Sequence, residues 1–203
     1  MATLLQDVVA LLAISNPLGA LPVFLALTQG ATPAERTRAG LRAATAATAI
    51  LTVAALAGRP ILTAFGISMP ALQAAGGLVI LLMGLEMLHG APTRVQHDEG
   101  GQQSPADRVL VPLAMPLLAG PGAITTVLTL SSRLATWADT MMLLVAVLVL
   151  GAIIALILLS ASRLGRALGR RGQRILLRFM GLILAAVGAE ILLAGVYTFV
   201  PRA

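Results

Sequence analysis

The chain has no cysteine and no lysine, six aromatic residues among 203, and only 11% charged residues. Without Cys there are no disulfides, no thiolate metal sites and no thiol catalysis. An ordinary soluble domain carries about 25% charged residues, so the low charge excludes that class. Four Phe, one Trp and one Tyr offer little for stacking bases, and no basic stretch lies on a soluble surface. The sequence pI of 11.6 therefore does not mark a nucleic-acid binder. Paired Asp, a Ser/His dyad or clustered His at one depth, which an intramembrane enzyme would need, are also absent from the pattern. His89 and His97 have no metal-binding spacing with each other, and the residues suggest neither a cofactor nor a metal.

What the chain does contain is apolar sequence: 58% hydrophobic residues and a mean hydropathy of +0.95. Apolar runs between polar punctuation predict six transmembrane helices, at approximately 4–28, 40–58, 69–90, 109–132, 138–161 and 175–198. The fold class is all-α, a polytopic membrane protein with the lipid bilayer as its first partner. Met1 to Gln6 has no basic n-region and no small-residue cleavage site follows, so the first run reads as an uncleaved span. Arg36, Arg38, Arg42, Arg94, Arg108, Arg163, Arg166, Arg170, Arg171, Arg174 and Arg178 fall on one side, and Arg59, Arg133 and Arg202 on the other. Because Arg resists translocation, the Arg-rich side is predicted to be cytoplasmic, with both termini outside. Trp137 and Tyr197 then sit at the outer boundary, where amphipathic rings prefer to lie.

Compared with itself at an offset of 104 residues, the chain carries Gly77-Leu78-Val79-Ile80 onto Gly181-Leu182-Ile183-Leu184, and Gly84-Leu85-Glu86 onto Gly188-Ala189-Glu190. The same offset carries Pro17 onto Pro121. Three spans per copy is an odd number, so the second copy crosses the bilayer in the opposite sense. This is an inverted repeat of the kind secondary transporters use. The expected organisation is a first three-helix repeat at 1–90, a polar cytoplasmic linker at 91–108 and a second repeat at 109–203.

Helices one and four are expected to be broken. Asn16-Pro17-Leu18-Gly19 and Gly120-Pro121-Gly122-Ala123 each set proline beside glycine in an apolar helix, removing a backbone donor and permitting unusual dihedrals. Both motifs fall within roughly 2 Å of the middle of their spans. Irregular backbone at that depth is tolerated only where it is buried in protein or lines a wet cavity. Beyond the breaks, new half-helices begin near Gly19 and near Gly122. Their positive ends suit a carboxylate and the preceding carbonyls suit an ammonium group, which together fit a small zwitterion. The expected binding residues are Ser15, Asn16, Pro17, Gly19, Gly120, Pro121, Gly122, Thr125 and Thr126. The competing reading of the hydroxyls is that they repay broken backbone bonds or pack between helices.

Glu86 and Glu190 are acidic residues inside spans, roughly 10 Å and 6 Å from the centre. They are candidates for gating or proton coupling, against a structural reading in which Glu86 pairs with Arg178 or Arg42. H+ and Na+ are the candidate coupling ions. Asp7 and Asp139 read as first-turn carboxylates, and Thr136 and Asp139 have the spacing of a capping box.

Asn16-Pro17-Leu18-Gly19-Ala20-Leu21-Pro22, Phe65-Gly66-Ile67-Ser68 and the long segment from Val111 to Ala123 resemble the MarC family of bacterial integral membrane proteins. The resemblance covers nearly the whole chain. It implies six helices, an inner-membrane location and, by analogy with some members, transport of small neutral amino acids such as glycine and alanine. It also implies Asp or Asn at position 16, with which Asn16 agrees. Glu190 stands where members often have an uncharged or amide residue, and Glu86 where they have Asp. The leading reading is thus a carrier for a small-molecule substrate, in which one repeat rocks against the other. The alternatives are an exporter of drug-like or apolar solutes, against which the scarcity of aromatics argues, and a structural or regulatory membrane protein. The residues leave the oligomeric state open.

Overall fold

The computed structural model describes residues 2–89, 118–132, 134 and 136–199. The linker expected at 91–108 and the first part of the fourth span, with most of the Val111–Ala123 motif, lie outside the described residues. Among the described residues there are seven helices and no strands: α1 (Ala2–Ser15), α2 (Pro17–Leu27), α3 (Pro33–Ala64), α4 (Met69–His89), α5 (Pro121–Ser132), α6 (Trp137–Leu159) and α7 (Ala161–Phe199). α1 and α2 together make one span, Leu4–Leu27. Pro33–Gly58, Met69–His89, Trp137–Leu159 and Arg171–Thr198 are also long and apolar enough to cross a membrane. Only α5, the second half of the predicted fourth span, is described. Leu5, Leu148, Leu156 and Leu182 are each more than half exposed. Large apolar side chains facing outward on several helices are what a bilayer, and not water, accommodates.

Two helices run further than the sequence reading gave them. α3 starts at Pro33 instead of 40 because Thr32 caps it. The Thr32 hydroxyl accepts from the Glu35 N–H at 3.3 Å, the Glu35 carboxylate accepts from the Thr32 N–H at 2.8 Å, and Pro33 takes the first position, where its missing donor is no loss. α7 is two helices in continuation. Gly169, at φ 59° and ψ 176°, breaks it into an Arg-bearing segment at the Arg-rich end and the last span. The Thr136–Asp139 capping box forms as expected, with Asp139 Oδ2 accepting from the Thr136 N–H at 3.0 Å and hydroxyl at 2.8 Å. Asp7 lies in the second turn of α1. Trp137 and Tyr197 stand exposed at the end of the bundle opposite the Arg-rich one.

The first span is the hub. Leu11, Leu21 and Phe24 are completely buried and join a core with Leu51, Leu118, Val127, Leu150 and Leu158. Around it, α4 and α7 make the most extensive helix pair and α3 packs on α6. α4 and α7 run antiparallel on a glycine seam. A Cβ on Gly77 would strike the Leu192 amide and lie 2.8 Å from Gly188 O, and one on Gly84 would strike the Ala185 amide and lie 2.7 Å from Gly181 O. In return, a Cβ on Gly181 would lie 3.0 Å from Leu88 N and 2.9 Å from Gly84 O, and one on Gly188 would strike the Leu81 amide and lie 2.9 Å from Gly77 O. Every contact in this set maps onto another when 104 is added to one partner and subtracted from the other. Only bare Cα atoms allow backbones this close, which is how small residues bring membrane helices together.

Candidate functional site

The chain breaks at Asn16, in the middle of the first span. Its backbone is left-handed, φ 41° and ψ 56°, the only positive φ among the described residues other than glycine. Asparagine reaches that region more easily than most residues. The Asn16 N–H still closes α1, donating to Leu12 O at 3.0 Å, while its carbonyl opens α2 by accepting from Ala20 N at 3.1 Å. Pro17 takes the first position of α2, where it sacrifices no hydrogen bond. The side chain does the rest. Asn16 Oδ1 accepts from the Gly19 N–H at 3.0 Å, and Gly19 must be glycine because a Cβ there would lie 2.8 Å from Asn16 Oδ1. Asn16 Nδ2 points across to Met87 Sδ on α4 at 4.0 Å. Part of the amide end expected to be free is thus occupied by the protein's own cap.

The second break repeats the first in register. Gly120 is non-helical, Pro121 starts α5, and Gly120 O accepts from Ile124 N at 3.0 Å. The half-helices therefore begin at Pro17 and Pro121, two residues earlier and one residue earlier than the sequence reading placed them. Gly120 has no side chain, so the amides of Gly122 and Ala123 lack the cap that Asn16 provides in the first half. Gly122 is buried, and a Cβ there would meet Ile80 of α4 and, at 3.4 Å, Ile14 of α1. Pro121 itself is exposed.

The hydroxyls separate into two kinds. Thr126, although buried, donates to Gly122 O at 2.9 Å and so repays its own helix. Thr125 is 2% exposed and packs its hydroxyl on the bare Cα of Gly76. Ser15 is different: it is completely buried and its Oγ has no hydrogen-bond partner among the described residues. A buried, unsatisfied hydroxyl forfeits about 1–3 kcal/mol, so in a native site it calls for an occupant. The sequence neighbour of Ser15, Ile14, together with Ile80, Met83, Gly120, Gly122 and Leu184, lines a crevice of about 10 Å³, room for one water at most. The second break lines this crevice, Ile14 brings α1 to it two residues before Asn16, and no charged side chain is in its lining.

Glu86 and Glu190 are not part of this cluster. Both are exposed on the outer surface of their helices, and the antiparallel pairing of α4 and α7 sets them toward opposite ends of the bundle. His89 Nδ1 lies 2.7 Å from Leu85 O, in its own helix. Among the described residues no three His, Asp or Glu side chains come together to hold a metal. The sequence reading missed the surroundings of Arg36, which joins three segments at the Arg-rich end. Its Nε donates to Thr28 Oγ1 at 3.2 Å, Nη2 to Thr28 O at 2.9 Å, and Nη1 to Ser162 Oγ at 2.7 Å. The partners are 8 and 126 residues away in sequence, so periodicity carries no sign of them.

Long apolar helices, a glycine-sealed seam and a half-helix break in mid-span define a polytopic integral membrane protein. The chain matches the family described as "MarC family integral membrane protein" over residues 1–200, and it belongs to that family. It is 38% identical to the UPF0056 membrane protein MJ1677 of Methanocaldococcus jannaschii, over 92% of each chain. It is 35% identical to the UPF0056 membrane protein YvbG of Bacillus subtilis, covering 95% of this chain and 93% of that one. It is also 33% identical to the UPF0056 inner membrane protein MarC of Escherichia coli, covering 93% and 91%. No solved structure matches the chain.

Proposed function

We propose that this protein is a secondary transporter of small neutral amino acids, of glycine and alanine size, working by alternating access around the two helix breaks. The observation that carries the reading is the Ser15 hydroxyl, buried beside the left-handed Asn16 with no partner among the described residues, while the crevice at Gly120 and Gly122 reaches Ile14, the residue before Ser15. A neutral site that holds at most one water here suits a compact zwitterion only once Ile80 and Leu184 part. The head of α5 meets its carboxylate, the carbonyl end of α1 meets its ammonium group, and Ser15 and Thr125 add hydrogen bonds. Ile80 and Leu184, equivalent under the offset of 104, close the crevice in this state and must part for entry.

The reciprocal contacts along α4 and α7, and the matched starts at Pro17 and Pro121, support two copies of one three-helix unit crossing in opposite senses. In such a plan one copy rocks against the other around a fixed midplane site. The Arg-rich end faces the cytoplasm and the termini face the outside of the inner membrane. Glu86 and Glu190 are the carboxylates available to couple transport to H+ or Na+. Uptake and counterflow in proteoliposomes, with labelled glycine, alanine, serine and threonine and with and without a pH gradient, test the proposal. Saturable flux of at least one is expected; none for any of the four overturns it.

A further inference from the structure

A cavity lies away from the breaks, at the Arg-rich end between α3, α6 and the first turns of α7. Its volume is about 780 Å³ and its polar lining is Arg36, Thr37, Ser160, Ser162, Arg163 and Arg166. Among the described residues no carboxylate lines it. Arg36 is half-buried, and its three bonds go to neutral partners on Thr28 and Ser162. A guanidinium has five N–H donors, so Arg36 is held in place with donors to spare. Arg166 Nε is anchored on Ser162 O at 3.2 Å. Three guanidinium groups around one cavity, with no carboxylate among the described residues of its lining, make a pocket for an anion with several oxygens.

One helical turn deeper, the same seam becomes an apolar groove of about 550 Å³. Thr45, Thr48 and Thr52 line it from α3, and Leu148, Ala152 and Ala155 from α6. Thr45 Oγ1 and Thr48 Oγ1 donate to carbonyls of their own helix, at 2.9 Å and 2.8 Å from Leu41 O and Ala44 O, so their hydroxyls are already satisfied. The step from Thr37 to Leu41 on α3, and from Leu159 to Ala155 on α6, is four residues, about 6 Å. Charged cavity and apolar groove therefore lie on one stripe of the bundle, in the order in which a phospholipid presents its phosphate and its acyl chain.

We propose that this seam binds one anionic glycerophospholipid, with its phosphate among Arg36, Arg163 and Arg166 and an acyl chain along the groove. Basic pockets between membrane helices at the cytoplasmic boundary recognise such head groups. The site is independent of the transport reading. The test is native mass spectrometry and thermal unfolding of the full chain in neutral detergent, titrated with dioleoylphosphatidylglycerol, dioleoylphosphatidylcholine or soluble glycerol 3-phosphate. One phosphatidylglycerol should be retained in preference to phosphatidylcholine, and should raise the unfolding temperature. Arg36 ties two segments together, so the informative variants are Arg163→Gln, expected to weaken retention about fivefold, and Ala152→Phe, which blocks the groove and leaves every guanidinium in place. Equal retention of the two lipids overturns the proposal. So does full competition by glycerol 3-phosphate, which would make this a soluble-anion site, or unaltered retention in Ala152→Phe.

Discussion

The glycine seam makes a quantitative prediction. In Gly84→Ala the new methyl would stand 2.7 Å from both Ala185 Cα and Gly181 O. In Gly188→Ala it would stand 2.8 Å from Leu81 Cα and 2.9 Å from Gly77 O. Ordinary contact begins at 3.4 Å, so each substitution is short by about 0.5–0.7 Å at these atoms and by more at the Ala185 and Leu81 amides. Its neighbours are backbone, which cannot rotate away, so α4 and α7 must separate. Overpacking of this kind costs about 1–3 kcal/mol, offset by a gain of about 0.8–1 kcal/mol in helix propensity. The net expectation is a loss of about 1 kcal/mol for each variant, equal in the two because their surroundings correspond under the offset of 104. The double variant should lose less than the sum, since helices already parted by one methyl accommodate the second more easily. Denaturant titration in mixed micelles reads these differences. Gly172→Ala, whose methyl would meet only Leu168, at 3.3 Å across the Gly169 break, serves as a control and should be neutral or slightly stabilising. A destabilised Gly84→Ala beside an unaffected Gly188→Ala would refute the reciprocal seam.

Three further predictions concern the breaks and the acidic residues. Ser15→Ala removes a buried hydroxyl without a partner and should raise stability by about 1 kcal/mol while weakening substrate affinity; lower stability in the same titration would show that the hydroxyl is satisfied. Asn16→Ala loses both the cap on Gly19 and the side chain that eases the left-handed backbone, about 1–2 kcal/mol together at the least. Asn16→Asp, which keeps the accepting oxygen, should retain most of that stability, and equal losses in the two would remove the cap from the account. Glu86→Gln and Glu190→Gln, exposed and apart from the crevice, should leave counterflow affinity unchanged; any role they have should appear only in the dependence of uptake on a pH gradient.

The breaks were legible in the sequence because proline and glycine state their backbone demands directly. Placing them to the residue required the geometry: Asn16 acts as a cap and supplies the left-handed residue, so α2 begins at Pro17 and not at Gly19. The early start of α3 was also legible in Thr32-Pro33-Ala34-Glu35, a capping box with proline in first position, but apolar periodicity begins later and masked it. The antiparallel pairing of α4 and α7 follows from glycines two turns apart in each helix. In contrast, nothing local marks Ser15 as the hydroxyl without a partner and Thr126 as one with a partner. That distinction depends on what the neighbouring helices bring. The Arg36 cavity was illegible for the same reason, being assembled from four segments, and Arg-rich loops read from sequence as topology alone.

The proposed transport requires the buried Ser15 to face a site that opens and takes a small amino acid. Because the chain contains no cysteine, Ser15→Cys places a single, nearly isosteric thiol there. Its rate of alkylation by a membrane-permeant maleimide in proteoliposomes, with and without saturating alanine or glycine, is the most direct measurement. The account predicts slow labelling that either amino acid slows further and that a bulky aromatic amino acid leaves unchanged. A thiol that never reacts, or one whose rate is indifferent to every small amino acid, would contradict it.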